Sequence, residues 1–284
     1  MDDLLVVGLV FFELFLPPLP RSPAPGEELF VDRLPVGLGG AMNSASVARA
    51  LGATVRLCAP LGQGLTDAGV RLALEKLGIA AVDWPGTDDA AISVVLSSPS
   101  DRSFISAVDA AALLHCPPLP PARFIHVGGL REARVTEARL RQARAAGAKI
   151  SVSTCYAPEE MERLQDGVAR PWDYLFMNED EARRLAGSPE RALEDLGHLA
   201  PNRIVTRGPA GAIAWIDGVS VEVSAVPAQV LDPTGAGDAF AAGTLVGRCR
   251  GLPPKDALAL GASAAARILT VRGGVADREL MVQL

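Results

Sequence analysis

The chain has 284 residues, of which 49% are hydrophobic and 21% charged, with a formal net charge of −6. That composition supplies a large apolar core and excludes a general nucleic-acid or anionic-membrane surface, which calls for positive charge. Cys58, Cys116, Cys155 and Cys249 are scattered without CxxC spacing, and His115, His126 and His198 are widely separated. No secreted disulfide framework and no histidine-rich metal site follows from such a distribution, which fits a reducing cytoplasm.

Leu4 to Leu16 is almost wholly apolar. Asp2 and Asp3 stand where a signal peptide carries positive charge, Glu13 interrupts the run, and the stretch is too short to span a bilayer. Leu4–Phe12 is therefore predicted as a strand buried on both faces. Pro17 to Gly26 is proline-rich and precedes Glu28–Arg33, a short strand outside the main sheet. Asn43–Leu51 reads as a helix ending at Gly52, and Val55–Ala59 as a strand. Thr66–Leu77 reads as an amphipathic helix with Thr66 as N-cap and Gly78 just past its end.

Ala91–Leu96 and Ser103–Ser106 flank the polar turn Ser98-Pro99-Ser100-Asp101 and read as further short antiparallel strands. Phe124–Val127, Lys149–Ser153, Tyr174–Met177 and Arg203–Thr206 are predicted strands of the main sheet, and Thr136–Ala146 a helix closed by Gly147. Asp217-Gly218 carries a type I′ hairpin signal between Ala212–Ile216 and Val219–Val223. Repeated βα units imply a parallel sheet with helices on both faces. No repeat or long linker divides the chain. Residues 1–284 are expected as one α/β domain, with segments of about 13–36 and 90–107 forming a small β lid.

The segment Asp232-Pro233-Thr234-Gly235-Ala236-Gly237-Asp238-Ala239-Phe240 opens an apolar stretch, Ala239 to Val246, that reads as a helix. Gly235-Ala236-Gly237 then forms a tight turn at its N-terminus, where small residues let backbone N–H groups approach a ligand and the helix dipole adds positive potential. Asp238 stands beside those donors, placed to take a proton from a hydroxyl attacking a phosphate. An anion cradle and a base on one turn suggest phosphoryl transfer to an alcohol. The same residues also suit a turn that merely packs helix on strand, with Asp238 as a first-turn acid.

Upstream lie Gly37-Leu38-Gly39-Gly40-Ala41-Met42-Asn43-Ser44 before a helix ending Ala50-Leu51-Gly52, then Asn178-Glu179-Asp180-Glu181 after a strand. Val205-Thr206-Arg207-Gly208-Pro209-Ala210-Gly211 follows, then the C-terminal turn, and the helix Gly261–Leu269 leading into Arg272-Gly273-Gly274. In this order, and with Pro25-Gly26-Glu27 in the first lid region, the chain resembles the PfkB (ribokinase-like) carbohydrate kinases over essentially its whole length. The resemblance implies a ribokinase-like three-layer sandwich, an ATP-dependent kinase, Asp238 as catalytic base, and Gly235, Ala236 and Gly237 as anion hole.

It further implies that Glu13, Gly39, Gly40 and Asn43 hold the acceptor, with Asn43 alternatively a plain helix N-cap. Asn178 and Glu181 match the motif that organises Mg2+ and its waters, and otherwise read as an acidic helix start. Thr206, Gly208 and Gly211 match the nucleotide loop, where the alternative is a plain strand-to-hairpin turn. Ser263 falls at an adenine-contact position but suits helix packing better, and Asp232 matches a position that helps hold K+. Relatives meet through their lids, so a cytoplasmic homodimer using Leu14, Phe15, Leu29 and Phe30 is expected, with no nucleic-acid or membrane partner.

Departures from the family pattern fall on the acceptor side. Glu13 stands for an aspartate, behind the bulky Phe11 and Phe12. Gly62-Gln63-Gly64 replaces a Gly-Asp-Asp, and Val108-Asp109-Ala110-Ala111 a Gly-Ala-Asn type segment. The leading expectation is phosphorylation of a hydroxyl of a small sugar or sugar-like alcohol. The alternatives are a nucleoside kinase of the same fold and a non-catalytic ligand-binding relative. A phosphorylated sugar would call for a basic residue such as Arg33 or Arg102.

Overall fold

The structure is a computed structural model and describes residues 1–282 apart from 20, 98–101, 156, 165–167, 169 and 171. Strand β1 (Asp2–Val7) sends Leu4 and Val6 to one apolar cluster and Leu5 and Val7 to another, all buried. Alternation into two cores is what a strand covered on both faces requires. The single strand expected over Leu4–Phe12 is in fact two. Gly8, at φ 153, turns the chain out of the main sheet, and a side chain there would touch Ala41 and Glu132. Strand β2 (Val10–Leu16) then joins a second, smaller sheet.

The next elements are β3 (Val36–Gly40), α1 (Ala41–Ala50), β4 (Val55–Cys58), α2 (Leu65–Leu77), β5 (Ala80–Val82), β6 (Ala91–Ser97) and β7 (Arg102–Val108). Then come β8 (Ala122–Val127), α3 (Leu130–Val135), α4 (Glu137–Ala145), β9 (Lys149–Ser153), α5 (Pro158–Arg163), β10 (Tyr174–Asn178), α6 (Glu179–Ala186) and α7 (Pro189–Asp195). The chain closes with β11 (Asn202–Thr206), the hairpin β12 (Ala212–Ile216) and β13 (Val219–Val223), α8 (Ala236–Cys249) and α9 (Pro254–Ile268).

The large sheet runs β13-β12-β11-β10-β9-β8-β1-β4-β5. It is parallel from β11 to β5, and the antiparallel hairpin closes one edge. The hairpin turns at Asp217 and Gly218, both at positive φ, as the type I′ signal required. Residues of α1, α2, α8 and α9 pack on the face of Leu4 and Val6, and residues of α3 to α7 on the face of Leu5 and Val7. Three layers result: helices, sheet, helices.

Several local readings shift. Glu28–Arg33 forms no strand; the lid strand in that region is β3, paired antiparallel with β2 from Val10↔Gly40 to Leu14↔Val36. Gly40, not Asn43, is the N-cap of α1. Gly64 replaces Thr66 as N-cap of α2, because the backbone N–H and hydroxyl of Thr66 both donate to Asp89. The helix expected over Thr136–Ala146 is α4, and a short α3 precedes it, parted from it at Thr136, whose Oγ1 donates to the Glu132 carbonyl at 2.7 Å. The turn 98–101 between β6 and β7 lies outside the described residues.

The small sheet has the order β3-β2-β6-β7. Registers place Phe11, Glu13 and Phe15 on one face with Ser93 and Val95, and Phe12, Leu14 and Leu16 on the other with Val94, Leu96 and Ile105. Buried Glu13, Ser93 and Val95 mark the first face as the inner one.

Candidate active site

Helix α8 begins at Gly235, whose left-handed conformation (φ 78, ψ 0) swings the chain from the loop after β13 into the helix. Of the expected glycine turn only Gly235 precedes the helix; Ala236, Gly237 and Asp238 are its first turn. A Cβ at Gly235 would run into the Gly274 Cα, and one at Gly274 into the Asn43 amide, so three chain segments stack here without room for side chains. Gly237 differs: it is exposed, and nothing lies within 4 Å of where its Cβ would be. Its backbone faces open space beside Asp238, at the positive end of the helix dipole.

Fully buried Asp232 binds the same region together. Its carboxylate accepts from the Thr234 N–H at 2.9 Å and from the Gly273 N–H, joining the loop before α8 to the segment after α9. Asn43, 4% exposed in the first turn of α1, donates from Nδ2 to Asp238 Oδ2 at 2.9 Å. Burial pushes the Asp238 carboxyl up to about 6; the Asn43 hydrogen bond opposes this and the Glu181 charge adds to it. A carboxylate of that pKa is ionised near neutrality and basic enough to take a proton.

Glu181 and Asn178 form a reciprocal capping box at the start of α6. The Asn178 N–H donates to Glu181 Oε2 and the Glu181 N–H to Asn178 Oδ1, both at 2.8 Å. The Thr154 hydroxyl also donates to Oε2, while Oε1 makes no hydrogen bond among the described residues. The acidic helix start is thus real, and it leaves one carboxylate oxygen open. Thr206 pairs in register with Asn178, so the ends of β10 and β11 meet at one edge. Gly208 (φ 53) begins a 3-10 turn, and Gly211 (φ 83) passes so near the Val223 carbonyl that no Cβ fits. Ser263 stands apart: its hydroxyl donates to the Ala259 carbonyl within α9 at 2.9 Å.

Among the residues expected to hold an acceptor, Glu13 is 5% exposed and lies across Gly39, where any Cβ would collide with its carboxylate. Gly40 (φ 64) leads directly into Ala41, and the Ala41 N–H donates to the Leu9 carbonyl at 2.9 Å, tying α1 to the root of β2. The changed loop at Gln63 is held by other acids. Its N–H donates to Asp88, and Asp67 accepts from the N–H groups of Gly64 and Asp89. Asp109 is likewise engaged, with the Ala111 N–H and the Thr87 hydroxyl. Arg33 is exposed, and the Arg102 side chain lies outside the described residues.

Thr154 and Gly274 had no assigned role in the sequence reading. The Gly-Gly pair after a helix hinted at the second; nothing local marks the first. Glu132, beside Gly8 and Gly129, adds a carboxyl at this sheet edge that burial raises above the usual range.

The sequence matches the pfkB family carbohydrate kinases over residues 1–279. It is 31% identical over 171 residues to a cytidine kinase of Thermococcus kodakarensis, covering 56% of this chain and about half (55%) of that one. A probable sugar kinase from Rhizobium etli has a similar structure, with TM-score 0.79, 20% identity and coverage of 96% of this chain and 94% of that one. Arabidopsis thaliana ribokinase complexed with ribose and ATP superimposes with TM-score 0.74 at 22% identity, covering 98% and 97%. With its motifs in order and its fold that of these kinases, the chain belongs to the PfkB carbohydrate kinase family.

Proposed function

We propose that this protein is an ATP-dependent kinase, a single domain over residues 1–284, that phosphorylates a hydroxyl of a small sugar or sugar-like alcohol. One observation carries the reading: the Asp238 carboxylate, held by Asn43 and with a pKa near 6, at the first turn of α8 beside the unobstructed backbone of Gly237. Asp238 deprotonates the acceptor hydroxyl, and the N–H groups of the first turn (Gly235 to Gly237) stabilise charge on the transferring phosphoryl. Glu13, Gly39, Gly40 and Asn43 position the acceptor. Thr206, Gly208 and Gly211 shape the nucleotide loop, and Ser263 borders it only if its intrahelical bond yields.

The open Oε1 of Glu181 fits Mg2+ held through water, with Asn178 beside it. When bound, the ion neutralises phosphate charge. Asp232 is the candidate for K+ nearby; its two amide bonds also account for its burial.

The four-stranded sheet acts as a lid that keeps water from the phosphoryl group. Its outer face carries Leu14, Leu16, Val94, Leu96 and Ile105, with Val36 and Ile105 61% and 64% exposed, and β7 is an edge strand. A homodimer through that face covers both liabilities. Phe15 cannot share in it: it points inward, near Gly37 and Gly273, because neighbours on a strand face opposite ways. No helix among the described residues is long and apolar enough to cross a membrane, and the cytoplasmic assignment rests on the cysteine distribution.

A second reading, a nucleoside acceptor, draws on Phe11 and Phe15, which flank Glu13 on the inner face and offer flat apolar surface to a base. An ATP-coupled screen of pentoses, hexoses, sugar acids and nucleosides decides between them. A lack of turnover with every alcohol tried would favour a non-catalytic ligand-binding relative.

A further inference from the structure

We propose that Thr154 is a positioning residue that fixes the plane of the Glu181 carboxylate and so keeps Oε1 open, a role that rests on reading Glu181 as a holder of Mg2+ through water. Glu181 is 7% exposed and Thr154 fully buried. A carboxylate taken out of water needs hydrogen-bond donors. Glu181 has two, and both fall on Oε2: the Asn178 N–H at 2.8 Å and the Thr154 hydroxyl.

The two donors do different work. The Asn178 contact is the closing bond of a capping box, which a glutamate at this helix position makes in any setting. One donor fixes one point and leaves the carboxylate free to turn about it, which would trade Oε1 for Oε2. A second donor from another direction fixes the plane.

Thr154 supplies that direction from a neighbouring strand. It lies one residue past β9, while Asn178 ends β10. The Thr154 N–H donates to the Phe176 carbonyl at 2.9 Å, extending the ladder beyond the Ser153↔Phe176 pair. Cys155, at φ 41, then turns the chain off the strand. A β-branched side chain on a backbone held this way has few χ1 choices. The hydroxyl has one proton and two acceptors in reach, Glu181 Oε2 and the Phe176 carbonyl at 3.3 Å. The Glu181 contact is the shorter and the acceptor is charged, so the proton stays there.

With both donors on Oε2, the lone pairs of Oε1 are unclaimed among the described residues. A water on the ion can donate to Oε1 without displacing an internal bond. Without the Thr154 hydroxyl, Oε2 loses half of its support and competes for the same water.

The test titrates Mn2+, a paramagnetic stand-in for Mg2+, into the full chain with ADP by electron paramagnetic resonance, and measures ADP affinity in EDTA by calorimetry. Thr154→Val removes the hydroxyl at nearly constant shape. It should weaken Mn2+ binding about tenfold, the low end of the cost of losing such a supporting contact, and leave metal-free ADP affinity unchanged. Thr154→Ser should restore most of the loss. Glu181→Gln should also weaken Mn2+ binding, and adding Thr154→Val to it should weaken binding no further, because both changes act through one carboxylate. Thr154→Ala repeats the measurement should the valine variant fold poorly. Wild-type Mn2+ affinity in the folded Thr154 variants, or fully additive losses in the double variant, overturns the proposal and leaves Glu181 with the ion. Wild-type Mn2+ affinity in Glu181→Gln overturns both.

Discussion

Asn43 and Asp238, 195 positions apart in sequence, share a 2.9 Å hydrogen bond that joins the first turn of α1 to the first turn of α8. The bond stabilises the ionised form of Asp238, while burial and the Glu181 charge act the other way. The working pKa of about 6 is the balance of the three.

That balance predicts a pH profile. With Asp238 as base, kcat/KM should fall as pH drops through about 6, because protonation removes the base. Asn43→Ala deletes the lowering contact and should move this acid limb to higher pH; Glu181→Gln deletes the raising charge and should move it lower. Opposite movements, read from initial rates between pH 5 and 9, separate this account from general damage. Asp238→Asn should cost about 10²–10⁴-fold in turnover with ATP binding retained. It should also raise Tm above pH 6. A carboxyl whose folded pKa is raised loses stability as pH climbs from its unfolded value of 3.8 to about 6, and removing the charge removes that loss.

Gly235 and Gly237 should fail in different ways. Gly235→Ala meets the Gly274 backbone in a left-handed conformation and should lower Tm. Gly237→Val projects into open space, so thermal melts should change little while turnover collapses, because branched carbons occupy the phosphate approach. A Gly237→Val enzyme with wild-type turnover would make this turn purely structural.

Much of this was legible in advance because it rests on local chemistry. The Asp217-Gly218 hairpin, the C-cap Gly78 and the glycine at the start of α8 follow from conformations that only certain residues adopt. The break at Gly8 was not legible, since apolar residues continue on both sides and only the changed partner, β3 in place of the main sheet, reveals the exit. The stacking of Gly235, Gly274 and Asn43 was hidden for another reason: tertiary packing creates it, and no periodicity records it. Asn178 and Glu181 form the cap that the acidic helix start suggested, and their reading as an ion site is a proposal.

Acceptor recognition should depend on Glu13. Glu13→Ala should raise the acceptor KM strongly and leave the ATP KM nearly unchanged, since a buried partner for a substrate hydroxyl is lost. Glu13→Asp should change the rank order of acceptors, as only the reach of the carboxylate differs. An unchanged acceptor KM in Glu13→Ala would remove Glu13 from the pocket.

Assembly should depend on the outer lid face. Light scattering on the wild type is expected to give twice the 29.6 kDa chain mass. Ile105→Asp should return the monomer, placing a charge on an apolar interface. A wild-type monomer at all concentrations would dismiss the dimer.

The alternation along β2 has an evolutionary edge. Phe11, Glu13 and Phe15 look toward the cleft while Phe12, Leu14 and Leu16 look away, so one ribbon of seven residues carries two surfaces in strict antiphase. Point substitutions can retune either surface alone. A one-residue insertion or deletion between Gly8 and Glu13 would instead swap them, exposing the carboxylate outward and turning leucines on the acceptor. Lineages diverging from this chain should therefore vary freely in side-chain identity along β2 while keeping its length from Gly8 fixed.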